Sequence, residues 1–84
     1  MSAPAHDPLI DLVRFVGQRL VDHPEELTVT SRTTGDHETL VVRVNPDDFG
    51  RVIGRQGRTV KALRSVVKHA AARRGQRVTV EVEE

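Results

Sequence analysis

Four residues near the middle of the chain carry the clearest chemistry: Gly54-Arg55-Gln56-Gly57. They follow an apolar pair, Val52-Ile53, and precede a periodic basic segment, Arg58-Thr59-Val60-Lys61-Ala62-Leu63-Arg64. Two glycines around two polar residues, set between helical patterns, predict a tight turn between helices with a bare backbone. Glycine tolerates the torsions of such a turn and lets another backbone come close. A phosphodiester can approach there, and the free amides at the start of the following helix favour an anion. The leading reading is a clamp for RNA or another single-stranded nucleic acid. A plain interhelical turn is the alternative.

The charge pattern supports the clamp. The chain of 84 residues has a net charge of only +1, but its charges are segregated. Residues 1–50 carry −5, residues 51–77 carry nine cations and no acid, and residues 78–84 carry −3. An acid-free basic stretch that includes the glycine turn is the electrostatic footprint of a phosphate-binding surface. On its own such a stretch would also suit a solvated helix face.

Gly54 and Gly57 are assigned to the turn and to close backbone approach. Arg55 and Gln56, between them, are assigned to phosphate or sugar contacts, one by charge and one by hydrogen bonding. Arg58 and Lys61, on the first turns of the following helix, and Arg51, just before the loop, are further phosphate contacts. Lys68, Arg73, Arg74 and Arg77 contribute a general field rather than direct contacts. Ile53 and Val52 could floor a groove or belong to the core. Val41 and Arg43 are further groove candidates.

Other chemistries find little support. There is no cysteine, so disulfides and thiolate-metal sites are excluded. His6, His23, His37 and His69 are scattered without metal-ligand spacing. The acidic pairs Glu25-Glu26 and Asp47-Asp48 fall at element boundaries, where capping accounts for them. No serine, histidine and acid are arranged as a nucleophile would need. An enzyme is not expected, nor a metal or cofactor. Phe15 and Phe49 are the only aromatic residues, which argues against base stacking on exposed rings. No apolar run reaches the ~18 residues of a membrane span, and residues 1–7 read as a flexible tail rather than a signal peptide. The expectation is a cytoplasmic protein with one domain over residues 8–84.

The elements that must position the loop follow from periodicity. Asp7-Pro8 reads as a cap and first helical residue, and Leu9, Leu12, Val13, Val16 and Leu20 form an apolar stripe. The first helix is predicted to end near His23, before Pro24. Leu27–Arg32 and Leu40–Val44 read as strands joined through Thr34-Gly35-Asp36-His37. Asn45-Pro46 opens a short second helix reaching about Ile53. The third helix is predicted over Arg58–Arg74 with Val60, Leu63, Val67 and Ala70 inward and Gly75 as its cap. Val78, Val80 and Val82 alternate in a last strand. The order α-β-β-α-α-β predicts an α+β domain, with a three-stranded sheet covered on one face by three helices.

The run Val52-Ile53-Gly54-Arg55-Gln56-Gly57-Arg58-Thr59-Val60-Lys61-Ala62-Leu63 resembles the signature of the K-homology (KH) domain. The element order resembles its type II, prokaryotic arrangement. The small size, together with Asn45-Pro46-Asp47-Asp48-Phe49-Gly50-Arg51, is similar to the bacterial single-KH proteins of the KhpA (YlqC-like) group. Arg55 stands where that group commonly has lysine, and the charge is kept. The resemblance covers roughly residues 8–83. It implies a narrow groove in which the loop clamps about four single-stranded nucleotides while the bases lie over an aliphatic floor. It also implies an RNA chaperone or post-transcriptional regulator with little sequence specificity. Binding on the order of 10⁻⁴–10⁻⁶ M is expected, strongly dependent on salt. Partners implied by the resemblance are a second copy, forming a homodimer, and a larger RNA-binding protein of the KhpB (Jag) group. The competing function is a protein-interaction module, for which Ile10, Gly17, Val21 and the run Ala70-Ala71-Ala72 would offer an apolar flank.

Overall fold

The structure, a computed structural model, describes residues 8–84. The expected tail over residues 1–7, and with it the Asp7 cap, lies outside the described residues. The elements appear in the expected order: α1 (Pro8–Leu20), β1 (Thr28–Thr34), β2 (His37–Arg43), α2 (Phe49–Ile53), α3 (Arg58–Ala72) and β3 (Arg77–Glu83). Strand order is β1-β2-β3. β1 and β2 form an antiparallel hairpin, and β3 pairs parallel to β2 after the α2–α3 crossover.

Strand alternation decides which sheet face is covered. Val29, Leu40, Val42, Val78 and Val80 share the inner face and are buried. They meet Leu9 and Val13 of α1, Val52 of α2, and Leu63, Val67 and Ala71 of α3 in one cluster. Each fully buried valine or leucine contributes about 1.5–3 kcal/mol relative to exposure. Among the described residues, no helix lies over the opposite face. It is polar and braced across the strands by Arg32–Glu81 at 3.3 Å, Arg43–Glu83 at 3.2 Å and His37–Thr79 at 3.2 Å. Val41 and Arg43 lie on this uncovered face, since Val41 pairs with Thr30 and Glu81 while its neighbours Leu40 and Val42 point inward. The groove role considered for these two residues is therefore corrected.

Local departures have local causes. α1 stops at Leu20 rather than near His23. The amides of Asp22 and His23 donate to the buried carboxylate of Asp48, at 3.1 and 3.0 Å, which draws the chain off the helical path. Pro24–Glu26 then makes a single 3₁₀ turn that feeds Leu27 into the core. The second helix is divided: Asn45 caps a 3₁₀ turn, Pro46–Asp48, by accepting from the Asp47 amide at 2.8 Å, and α2 proper follows. α3 ends at Ala72. Gly75 (φ 70°) closes it with paired bonds, Gln76 N–H to Ala71 O (2.9 Å) and Gly75 N–H to Ala72 O (3.0 Å), the two bonds of a Schellman cap.

The expected apolar flank is not where the exposed apolar surface lies. Gly17 is buried, and a β-carbon there would fall 2.7 Å from Leu27 Cδ1. Ala71 is buried in the core, and Ile10, Val21 and Ala70 are partly buried against it. An exposed, mostly apolar cleft of ≈ 400 Å³ lies between α1 and α3, lined by Leu12, Val16, Leu20, Ala62 and Val66, with Arg58 and Thr59 also on its wall.

Candidate nucleic-acid interface

The loop joins two helices through torsions that most residues avoid. Gly54 ends α2 at φ 78°, ψ 171°, a conformation available almost only to glycine. Gln56 (φ 57°) and Gly57 (φ 73°) follow in the left-handed region. A non-glycine residue there costs about 1–2 kcal/mol, so Gln56 holds a strained position at the tip of the turn. The Gly54 amide donates back to Gly50 O (2.8 Å) and the Gly57 amide to Gly54 O (3.1 Å). Among the described residues, the Arg55 and Gln56 amides have no acceptor.

Those amides sit beside the start of α3, where Gly57 is the N-cap and supplies no capping side chain. The Arg58 amide donates to Arg55 O, and the rest of the first turn, with the positive end of the helix dipole, has no side-chain cap and can face an anion. Arg55, Gln56, Arg58 and Lys61 are all exposed around this point. Arg58 Nη2 donates to Gln56 Oε1 at 3.4 Å, bracing the loop from the helix side. Lys61 lies close to the second glycine: a β-carbon on Gly57 would meet Lys61 Cε at 3.9 Å.

Arg51 is placed differently. Its guanidinium pairs with Asp22 at 3.0 Å and lies 3.8 Å from Asp48, so it already has carboxylate partners. Val52 is fully buried and belongs to the core. Ile53 is half-buried at the end of α2, leaving part of its side chain to line a groove.

Along α3 the basic face continues away from the loop. Lys61, Arg64, Ser65, Lys68, His69 and Ala72 line a shallow cavity of ≈ 460 Å³. Arg64 Nε donates to Val80 O at 2.8 Å, tying this face to β3. Sequence reasoning missed this link, because helical spacing put Arg64 near Lys61 and Lys68 but gave no contact with a strand sixteen residues on. His69 Nδ1 lies 2.8 Å from Ser65 O; since a carbonyl only accepts, Nδ1 is the donor.

A loose ligand cluster does occur elsewhere. Ligand atoms of His23, Glu25 and Glu26 lie within 4.8 Å of one another on the exposed 3₁₀ turn, a proximity that the sequence reading of the histidines did not anticipate. Asn45 Nδ2 donates to Glu26 Oε2 at 3.0 Å, so packing of the turn accounts for part of the gathering. No described helix is long and apolar enough to cross a membrane.

Comparison with known proteins gives a consistent result. Residues 10–82 match the family described as KhpA/KhpB, KH domain. A protein of Leifsonia xyli named RNA-binding protein KhpA is 52% identical over 82 residues, covering 98% of this chain and 96% of that protein. Proteins of the same name from Halalkalibacterium halodurans and Clostridium perfringens are 45% and 42% identical, covering 84% and 86% of this chain and 93% and 96% of their own lengths.

Proposed function

The chain belongs to the KhpA/KhpB family of KH domains, and on that premise we propose that it is a non-enzymatic protein that binds single-stranded RNA through the Gly54–Gly57 loop and the start of α3. The observation that carries the reading is the loop itself. Among the described residues it presents amides of Arg55 and Gln56 without an acceptor, beside a helix N-terminus that lacks a side-chain cap, in a stretch of sequence with no acid. Arg55, Gln56, Arg58 and Lys61 then contact phosphate or sugar, while Ile53 lines the groove. Arg51, held by Asp22 and Asp48, orients the base of the loop and contributes field. The names of the relatives support RNA as the nucleic acid. Work as a chaperone or post-transcriptional regulator in the cytoplasm suits a weak, backbone-directed grip.

Fluorescence anisotropy with a short labelled RNA at two salt concentrations tests this. Arg55→Asp/Gln56→Asp reverses the loop's charge, and aspartate tolerates the left-handed torsion at position 56. Salt-sensitive binding by the wild type, lost in a folded variant, is the expected outcome. Equal binding by both proteins would move the site away from the loop. Absence of wild-type binding at about 100 μM, a generous limit for non-specific contact, would overturn the reading.

A second activity is supported by the α1–α3 cleft. Val66 is 52% exposed beside it, and Phe15 on α1 is 59% exposed with the Arg19 guanidinium 5.1 Å from its ring centroid. Exposed apolar side chains beside a cleft suit association with a second copy of the chain. The larger KhpB (Jag)-like partner rests on the family resemblance, and no feature of this surface selects it.

A further inference from the structure

Beyond holding the backbone, the basic face of α3 contains a group shaped to read a base. Val44 N–H donates to Glu83 O, so Glu83 turns its backbone groups toward β2. Backbone direction alternates along a strand. Val78, Val80 and Val82 therefore turn their amides and carbonyls to the open edge of the sheet, the edge that β3 occupies in the order β1-β2-β3. At that edge the Val80 carbonyl is taken by Arg64 Nε–H, at 2.8 Å in a half-buried bond.

This bond fixes the guanidinium. Nε–H lies on one side of the planar group, and the two terminal nitrogens keep a parallel pair of N–H donors on the end opposite the side-chain stem. Among the described residues, that pair has no protein acceptor. Arg64 stands seven residues past Gly57, roughly 10 Å along the helix, so a base splayed from a phosphate held at the loop meets it. Lys61 and Lys68 flank it on the same face and hold the backbone, whereas a guanidinium anchored by a carbonyl has lost the freedom of a surface lysine.

We infer that Arg64 gives this groove a preference for a base with two neighbouring hydrogen-bond acceptors: guanine through O6 and N7, or cytosine through O2 and N3. Adenine sets an amino donor beside N7, and uracil separates its two carbonyls by an N–H, so neither matches the fork. The inference rests on the RNA-binding reading above, and it turns a sequence-blind clamp into one with a single read position.

Anisotropy titrations test it with labelled oligoadenylate and the same strand carrying one central guanine, cytosine or uracil. The wild type is expected to bind the guanine or the cytosine strand about tenfold more tightly than oligoadenylate, the discrimination of one bidentate pair, and the two strands tell which base is read. Arg64→Lys keeps the charge and removes the fork. It is expected to bind oligoadenylate within about twofold of wild type and to lose the preference. Arg64→Gln, which can still donate to Val80 O, is the second variant should the lysine protein fail to fold, and it too must lose the preference. A purely structural role for Arg64 would weaken all four strands alike and would overturn the assignment. So would a wild type with no preference, a preference for uracil, or a preference that survives both substitutions. Failure of every strand to bind would instead overturn the RNA-binding reading on which this one depends.

Discussion

Gly54 is packed against Thr59 so closely that a β-carbon at position 54 would lie 2.7 Å from Thr59 Cβ and 2.8 Å from its amide nitrogen, and would overlap Oγ1. The first glycine of the loop is thus closed by the first turn of α3, across the loop it opens. Gly54→Ala must both leave its glycine-only torsions and push α3 away. A loss of about 3 kcal/mol is expected, a fall in Tm of roughly 10 °C or more. Gly57→Ala meets only the flexible end of Lys61, at 3.9 Å, so its cost is the left-handed torsion alone, about 1–2 kcal/mol. Thermal melts of the two variants check the order. Equal destabilisation would show that the Thr59 contact is not what closes the loop.

Salt dependence separates the cations. For single strands the slope of log K against log salt falls by about 0.7 for each phosphate contact removed. Arg58→Ala and Lys61→Ala are each expected to reduce it by that amount. Arg51→Ala is expected to change it much less, because Asp22 and Asp48 already engage that guanidinium. Its stability should shift by less than about 1 kcal/mol, as the Asp22 pair is exposed. A full unit-contact loss in Arg51→Ala would place Arg51 on the RNA after all.

The sequence carried local rules well and long-range contacts poorly. Pro46 after Asn45 announced a capped turn, and Gly75 announced the end of α3, because caps are decided by neighbouring residues. The order of the three α-helices and three strands was legible from caps and apolar period, but not the 3₁₀ turns between them. What was not legible needed a partner distant in sequence. α1 ends at Leu20 because Asp48 captures two amides, twenty-five and twenty-six residues upstream. β1 runs on to Thr34, past the last apolar residue, because backbone pairing with His37 and Glu38 holds threonines that show no alternation. Ala71 rather than Ala70 faces the core, a rotation that a stripe of three similar alanines cannot specify. At the site, the glycines and cations were read from type and spacing. The engagement of Arg51 by Asp22 and of Arg64 by Val80 O was hidden for the same long-range reason.

Self-association through the α1–α3 cleft makes a separate prediction. Val66→Asp puts a charge beside Leu12, Val16 and Ala62 without touching the core, since Val66 is half-exposed. In light scattering, the wild type should gain mass with concentration and the variant should remain a monomer. Arg58 and Thr59 at the start of α3 also line this cleft, so RNA binding is measured on the variant alongside its mass. A wild type that stays monomeric at all concentrations would remove the second-copy reading and leave the RNA reading intact.

Asp48 connects the fold to the loop and gives the most demanding stability test. It is 1% exposed, and its two oxygens accept the Asp22 and His23 amides at 3.1 and 3.0 Å. A buried carboxylate is tolerated only when hydrogen bonds replace its water, and here the donors come from the linker that leaves α1. Asp48 also immediately precedes α2, at whose far end Gly54 opens the loop. Asp48→Ala would leave two part-buried amide donors without their acceptor, and bonds to a charged acceptor are individually worth about 1.5–3 kcal/mol. A loss of about 3 kcal/mol is expected, a large share of the roughly 5–15 kcal/mol typical of a domain. Asp48→Asn keeps one acceptor oxygen but turns an amide donor toward the second N–H, so it should fall between Ala and wild type. Urea denaturation of the three proteins gives the order directly. A midpoint unchanged in Asp48→Ala would show that water replaces the carboxylate, and that the linker does not depend on it.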